Sequence, residues 1–340
     1  VTSAQSIPVR RSKGVRRVVA EWRRLTGGRP VRDADRRTLL ACSGGADSSA
    51  LALGLGAAAG ERLVLAHVVH DLRPRGESLA DRDRAGELAE SLGLPFVEAE
   101  VRVGPGNAEA GARRARYAAL ARLARERACP FVATAHHADD QLETLLMRLV
   151  RGAGLCGLGG VRTTRPLDGG VTLVRPMLRV TRADCERICE DAGWAWAEDT
   201  TNTDVSRLRS SIRYGVLPGL GELRGRAARR AADTAELLAD AAGLIRDCAE
   251  TLLADARRDG DALNWPREAL SEQRPVVLGE LIRLASGELN AGEGTDRLPS
   301  RVASRVAGAI RDASTEPRRF VLHRMIVTIT AHHVRVEWGS

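Results

Sequence analysis

Between residues 38 and 180 the chain alternates short, continuous apolar runs with longer stretches of helical periodicity. The runs fall at 38–42, 63–69, 95–101 and 131–135, and helical patterns follow them at 47–59, 78–92, 108–128 and 138–150. Runs this short, apolar at consecutive positions and bounded by turn residues, suit strands covered on both faces. Their alternation with helices predicts βαβ units, hence an α/β fold built on a doubly wound parallel sheet. A Gly-rich loop over 151–170, a strand at 171–175 and a helix at 181–193 extend that region. Pro218, Gly219, Gly221 and Gly225 then punctuate the chain. Beyond them Ala/Leu spacing predicts a helix over 226–258, and partial alternation predicts strands at 319–323, 325–330 and 333–338. The organisation expected is a basic N-terminal arm (1–35), a catalytic α/β domain (36–222) and a smaller α+β accessory domain (223–340). Within the arm, residues 15–25 carry amphipathic helical spacing.

Composition narrows the class. Of 340 residues 44% are apolar and 28% charged, a globular balance that excludes whole-chain disorder and low-complexity architectures. Aromatics make up only 3%, so the core must be aliphatic. No apolar run approaches the roughly 18–20 residues of a membrane span, and no membrane partner is expected. Six cysteines occur without a CxxC pair and no apolar signal segment is present, which fits a cytoplasmic location. The first twenty residues, Arg-rich and poor in acids, also fit a transit peptide.

The net charge is +8, and residues 1–40 alone hold eleven basic and three acidic side chains, so the excess lies in the first forty residues. Such an arm can meet a polyanion or can be a solvated leader. Among the 52 basic residues only Lys13 is lysine. Arginine stays protonated at working pH, so these side chains suit phosphate binding and not general-base chemistry.

The sharpest local signal is Ser43-Gly44-Gly45-Ala46-Asp47-Ser48, between a predicted strand and a predicted helix. Glycines let the backbone approach a phosphate, the helix start offers unpaired N–H groups, and the two serines add hydroxyl donors. Asp47 would repel the anion unless a divalent cation lay between them, so the motif points to a nucleotide together with Mg²⁺. Neither a Walker A ending nor a GxGxxG fingerprint is present. Taken alone, the segment also reads as a tight strand-to-helix turn.

Those six residues resemble the SGGxDS signature of the N-type ATP pyrophosphatases, the PP-loop family. Further motifs are similar in order and spacing to the tRNA(Ile)-lysidine synthetases. They are His67-Val68-Val69-His70-Asp71-Leu72-Arg73, Asn107-Ala108-Glu109 with Arg113 and Arg116-Tyr117, Ala135-His136-His137-Ala138-Asp139-Asp140-Gln141-Leu142-Glu143-Thr144, Arg148-Leu149-Val150-Arg151-Gly152 and Glu198-Asp199-Thr200-Thr201-Asn202. The resemblance covers roughly residues 36–220. It departs from the family pattern at Asp71, where members usually carry glycine, and at Ser210-Ser211 within Arg209-Ser210-Ser211-Ile212-Arg213. It implies adenylation of the wobble cytidine of an isoleucine tRNA with a CAU anticodon, then displacement of AMP by free L-lysine to give lysidine. ATP and Mg²⁺ are the implied cofactors. Oligomeric state is not legible, and a homodimer stays open.

Under that resemblance Ser43, Gly44, Gly45, Ala46, Asp47 and Ser48 hold ATP, with His70 and Arg73 beside it. Asp47 and Asp139 hold the metal. Asp139, Asp140 and Glu143 bind lysine or magnesium, and Arg113 assists as a phosphate or carboxylate clamp. On a helix starting near Ala138, Glu143 lies four residues from Asp139 and three from Asp140, so at least two carboxylates share a face. The same acids also suit the positive end of a helix dipole. His136 and His137, adjacent at a strand end, are expected to face opposite sides. Arg207, Arg209, Arg213, Arg224, Arg226, Arg229 and Arg230 form a basic stretch able to follow RNA phosphates or simply to be solvated. Trp194 and Trp196 read as core, or as platforms for a base. A tRNA thiolase is the enzymatic alternative, disfavoured because Cys185 and Cys189 are four apart and not a CxxC pair. A non-catalytic RNA-binding module is the other.

Overall fold

The computed structural model describes residues 12–28, 32, 35–71, 75–102, 108–196, 208–289, 300–322 and 324–339. Two compact units divide the chain, one of Val1–Thr144 with Val161–Asp233, the other of Leu145–Gly160 with Thr234–Ser340.

The first unit opens with helix α1 (Lys13–Leu25). Strands β1 (Thr38–Ala41), β2 (Leu63–His70), β3 (Phe96–Val101) and β4 (Phe131–Ala133) then alternate with α2 (Ala46–Ala59), α3 (Arg75–Leu92) and α4 (Ala108–Glu126). Helix α5 (Ala138–Val150) follows β4, a short α6 (Leu155–Leu158) comes next, and β5 (Thr164–Pro166) and β6 (Thr172–Val174) lead to α7 (Arg182–Asp191). Among the described residues the sheet runs β3-β2-β1-β4-β6-β5, parallel except for the β5–β6 pair.

Alternation along the strands explains why both faces are apolar. Leu40, Leu63, Leu65, Ala133 and Val174 point to one core, shared with Leu51, Leu55 and Leu88. Leu39, Val64, Ala66, Val132 and Leu173 point to the other, shared with Tyr117, Leu120 and Leu123 of α4. A period of two with every position apolar is what a doubly covered parallel sheet requires.

Helix α1 is not a free arm. Val15, Val18, Val19 and Trp22, spaced at i, i+3, i+4 and i+7, are buried in the first core. The Trp22 indole donates to Thr38 Oγ1 at 3.0 Å, and the buried Arg36 guanidinium donates to the Arg23 and Thr26 carbonyls that end the helix. Burial of each large side chain is worth about 1.5–3 kcal/mol, so residues 13–25 are part of the α/β fold. The stretch 151–170 also carries more structure than a loop, holding α6 and β5.

After α7 come α8 (Leu208–Ser211), a wide helical turn over Ile212–Val216, and α9 (Leu217–Leu223). Helix α10 (Ala227–Ala254) follows. The second unit adds β7 (Arg257–Asp259), β8 (Ala262–Pro266), α11 (Arg267–Ser271), α12 (Pro275–Leu289), α13 (Ser300–Arg311), β9 (Arg318–Leu322), β10 (Met325–Ile329) and β11 (His333–Trp338). Its sheet is antiparallel in the order β7-β8-β11-β10-β9, with Leu278, Leu281, Ile310, Val327 and Val336 in its core. The buried Arg267 binds the Ala309 and Ile310 carbonyls, satisfying groups that the end of α13 would otherwise leave unpaired. No described helix is long and apolar enough to cross a membrane.

Candidate active site

The carboxyl edge of β1 leads into a turn that Gly44 makes feasible. Its φ is +83°, and a Cβ there would sit 3.1 Å from the Asp81 carbonyl oxygen. Ser48 stitches the turn: its hydroxyl accepts from the Ser43 N–H at 3.1 Å and donates to the Gly45 carbonyl at 3.1 Å. Ser43 Oγ lies 3.2 Å from Ser48 Oγ. Gly45 caps α2 without any side-chain hydrogen bond, so the first N–H groups of the helix are left for a ligand. The loop is a shaped cradle for an anion.

Asp47, on the first turn of α2, has one oxygen, Oδ1, buried without a hydrogen-bond partner. Its other oxygen lies 3.4 Å from His137 Nε2, and Asp139 Oδ2 lies 3.4 Å from His137 Nδ1. The buried imidazole thus bridges a carboxylate of the cradle and a carboxylate at the start of α5. Asp140 Oδ2 is 3.7 Å from the same ring. Burial alone would lower the His137 pKa, but Asp140, Asp139 and Asp47 outweigh it and raise it to about 10. His136 behaves oppositely: burial pushes it down to about 3, Arg175, Arg113 and Arg116 add to the fall, and Asp140 opposes it.

A pH dependence follows for stability. The protonated His137 contributes fully below about pH 6.5, where the unfolded imidazole is also protonated, and the contribution is lost as pH rises through about 10. Urea unfolding of the wild type is expected to show stability falling across that interval, by more than in His137→Gln. Parallel profiles for the two proteins would contradict the assignment.

The four acids divide into two pairs. Asp47 and Asp139 have side chains 34% and 31% exposed, open enough to meet a ligand. Asp139 also accepts from the Arg182 N–H at 2.8 Å, fixing it against the start of α7. Asp140 and Glu143 are 11% and 1% exposed, and both are engaged by arginines. Arg209 reaches Asp140 at 2.6 Å and Glu143 at 2.8 Å, and Arg213 reaches Glu143 at 2.5 and 3.0 Å. The basic stretch therefore does not behave uniformly. Arg229 pairs with Asp184 at 2.6 Å, while Arg224, Arg226 and Arg230 are exposed.

Other expected residues are placed as follows. His70 ends β2 half-buried, with its carbonyl accepting from Ser78. Arg113 is exposed on α4 and lies over the Tyr117 ring, within electrostatic range of His136. Trp194 and Trp196 pack against the first core. Arg73, Asn107, Arg207 and the 198–202 motif lie outside the described residues. Cys189 donates to the Ala46 carbonyl beneath the cradle, and burial first, then Asp47, lifts its pKa to about 12. Cys185 is raised for the same reasons, so neither thiol suits nucleophilic sulfur chemistry.

Sequence reasoning missed the bridging role of His137 and the ion pairing of Arg209 and Arg213 with the acids. The His-His-x-Asp-Asp spacing was the available signal for the first. The second joins residues 66 to 70 positions apart, and one sequence carries no signal for it.

A strand, a glycine turn and a helix that opens with unpaired N–H groups and carries an aspartate in its first turn define a PP-loop protein. A family model described as a PP-loop domain matches residues 17–220, more than half of the chain. Curated proteins called tRNA(Ile)-lysidine synthase are also similar. That of a Nostoc species is 36% identical over 271 residues, covering 78% of this chain and 76% of its own. That of Geobacter sulfurreducens is 42% identical over 225 residues, covering 64% of this chain and 47% of its own. The chain thus spans three quarters of one relative and about half of the other. Within the PP-loop class, it belongs to the tRNA(Ile)-lysidine synthase family. A solved U34-tRNA thiolase from Methanococcus maripaludis, with its [4Fe-4S] cluster, shares the fold at TM-score 0.53 and 18% identity, over 67% of this chain and 79% of that one.

Proposed function

We propose that the protein joins L-lysine to carbon 2 of the wobble cytidine in a CAU-anticodon isoleucine tRNA, converting ATP to AMP and pyrophosphate. The observation that carries this reading is the meeting of Asp47 and Asp139 on the two sides of His137, at the mouth of the glycine cradle. The names of the family relatives support it. The buried thiols beneath the cradle speak against the thiolase alternative.

The chain's groups divide the work. N–H groups at the start of α2, with Ser43 and Ser48, bind phosphate oxygens, and the fixed turn means that these donors need no reorganisation during reaction. The orphaned Asp47 Oδ1 and the partly exposed Asp139 fit a divalent cation. Among the described residues no cluster of three or more ligating side chains exists. Two carboxylates are enough for Mg²⁺, which binds through one or two of them together with substrate phosphates and water. Bound there, Mg²⁺ supplies charge neutralisation between the phosphates and Asp47.

Two bond exchanges follow. Cytidine O2 attacks the α-phosphorus, an O–P bond forms, and pyrophosphate leaves. The lysine ε-nitrogen then attacks carbon 2, a C–N bond forms, and AMP departs with the O2 oxygen. The amine proton is given up to water as the C–N bond forms. Asp140 and Glu143, expected to join in holding lysine, are engaged by Arg209 and Arg213; they order the 208–216 segment beside the site. Incubation with ATP, labelled lysine and CAU isoleucine tRNA is expected to label the RNA, with a methionine tRNA left unlabelled. Absence of label in both would refute the reading.

A further inference from the structure

His136 and His137 follow one another in the chain but serve different surroundings. His137 faces the acids beside the cradle, whereas His136 is within range of Arg113 and Arg116 of α4 and of Arg175 just after β6, as well as of Asp140. At the centre of that gathering is the Tyr117 ring. The guanidinium carbons of Arg165, Arg113 and Arg116 lie 4.7, 5.2 and 5.5 Å from its centroid. Arg175, 2% exposed, donates through Nη1 to the Arg162 carbonyl at 2.6 Å, and its Nε is buried without a hydrogen-bond partner. The phenol oxygen of Tyr117, itself 3% exposed, has the Arg175 guanidinium as its polar neighbour, in a contact short of ideal hydrogen-bond geometry. Among the described residues no carboxylate pairs with any of the four arginines.

Three guanidinium groups over one ring, with Arg175 beside its hydroxyl, repel each other, and the ring quadrupole returns only about 0.5–2 kcal/mol per contact. Buried polar atoms left without partners cost about 1–3 kcal/mol each. A site with these properties suits a multiply charged acceptor. Burial pushes the Tyr117 phenol upward, yet Arg113, Arg175 and Arg116 bring it below its ordinary value, which again marks a local excess of positive charge.

We propose that Arg113, Arg116, Arg165 and Arg175, with the Tyr117 hydroxyl, form a clamp for backbone phosphates of the RNA substrate. Guanidinium forks match phosphate oxygens in pairs, and the cluster has more charge than a single carboxylate would balance. The nucleotide's own phosphates are served elsewhere: the cradle belongs to the α2 side of the sheet, whereas Tyr117 belongs to the core of the α4 side. The clamp rests on the RNA-directed reading above and adds to it where the RNA backbone is gripped.

The test uses Arg165→Gln and Arg116→Gln, neither of which lines the cradle, with a thermal melt to show that each variant folds. Dissociation constants for CAU isoleucine tRNA are measured across roughly 50–200 mM salt without ATP, and ATP affinity is measured separately. Each variant is expected to bind the RNA about tenfold more weakly at low salt. The slope of log affinity against log salt should be shallower by about 1, with ATP affinity within about twofold of the wild type. Arg165→Lys should recover most of the slope. RNA affinity and slope equal to the wild type would overturn the clamp, as would a loss of ATP affinity with RNA binding intact. Failure of the ligase reading itself looks different: the unmodified protein would then leave the tRNA unlabelled by lysine while these slopes still change.

Discussion

Asp47→Asn is expected to lower lysine incorporation into the tRNA by about a thousandfold while leaving the fold intact. Asp47 is on the first turn of α2 with one oxygen buried and unpartnered, and an amide of the same size fills that space without the charge. Removing a single preorganised electrostatic partner of a reacting phosphate costs about 10²–10³ in rate. Loss of a carboxylate that also helps to hold a divalent cation belongs at the upper end of that range. The unfolding midpoint should fall only modestly, because Asp47 is one of three carboxylates around the buried His137 and Asp139 and Asp140 remain. The measurement is label transfer from lysine, with urea unfolding as the control. Activity within tenfold of the wild type would remove Asp47 from the reacting centre.

Glu143→Gln is expected to destabilise the first unit by about 3 kcal/mol and to slow lysine transfer as a consequence. Glu143 is 1% exposed and receives both Arg209 and Arg213. Breaking a buried ion pair from one side leaves charge uncompensated, with a cost of about 3–5 kcal/mol. The arginines are partly exposed, which favours the lower figure. The amide still accepts one hydrogen bond but no longer balances two guanidinium charges. The segment 208–216 should loosen, detected as faster amide exchange there. If urea unfolding showed a change of less than about 0.5 kcal/mol, the ion-pair cluster would not be what orders that segment.

Much of the first unit is legible because its strands are covered on both faces. Runs such as Leu63-Val64-Leu65-Ala66 leave no amphipathic ambiguity, and the observed β1 to β4 lie within two residues of the expected positions. Helix α1 shows where compositional reading misleads. Its arginines suggested a charged arm, whereas the spacing of Val15, Val18, Val19 and Trp22 already described a helix with one buried face. The hairpin of β7 and β8 escaped notice because Arg257-Arg258-Asp259 is polar and exposed at all three positions, so nothing alternates.

The site is legible in part for the same physical reason. Glycines, serines and an aspartate in fixed order dictate a local turn, and local geometry can be read from neighbours in sequence. The histidine pair was expected to split across a strand, but β4 ends at Ala133 and residues 134–137 form an irregular segment. The two rings still face different partners, because Thr134 holds His136 at 3.0 Å while the His137 N–H is fixed by Asp140. The division of four acids into an open pair and an arginine-bound pair depends on contacts between distant segments. Periodicity carries no such information.

The most direct test of a single site joining the glycine cradle to the later acids is a pulse-chase with ATP labelled at the α-phosphate. Without lysine, the tRNA should acquire the label as a bound AMP group. Adding unlabelled lysine should then release that label as AMP while lysine enters the same RNA in equal amount. RNA that never acquires the α-phosphate label, or label that lysine does not displace, would contradict the account.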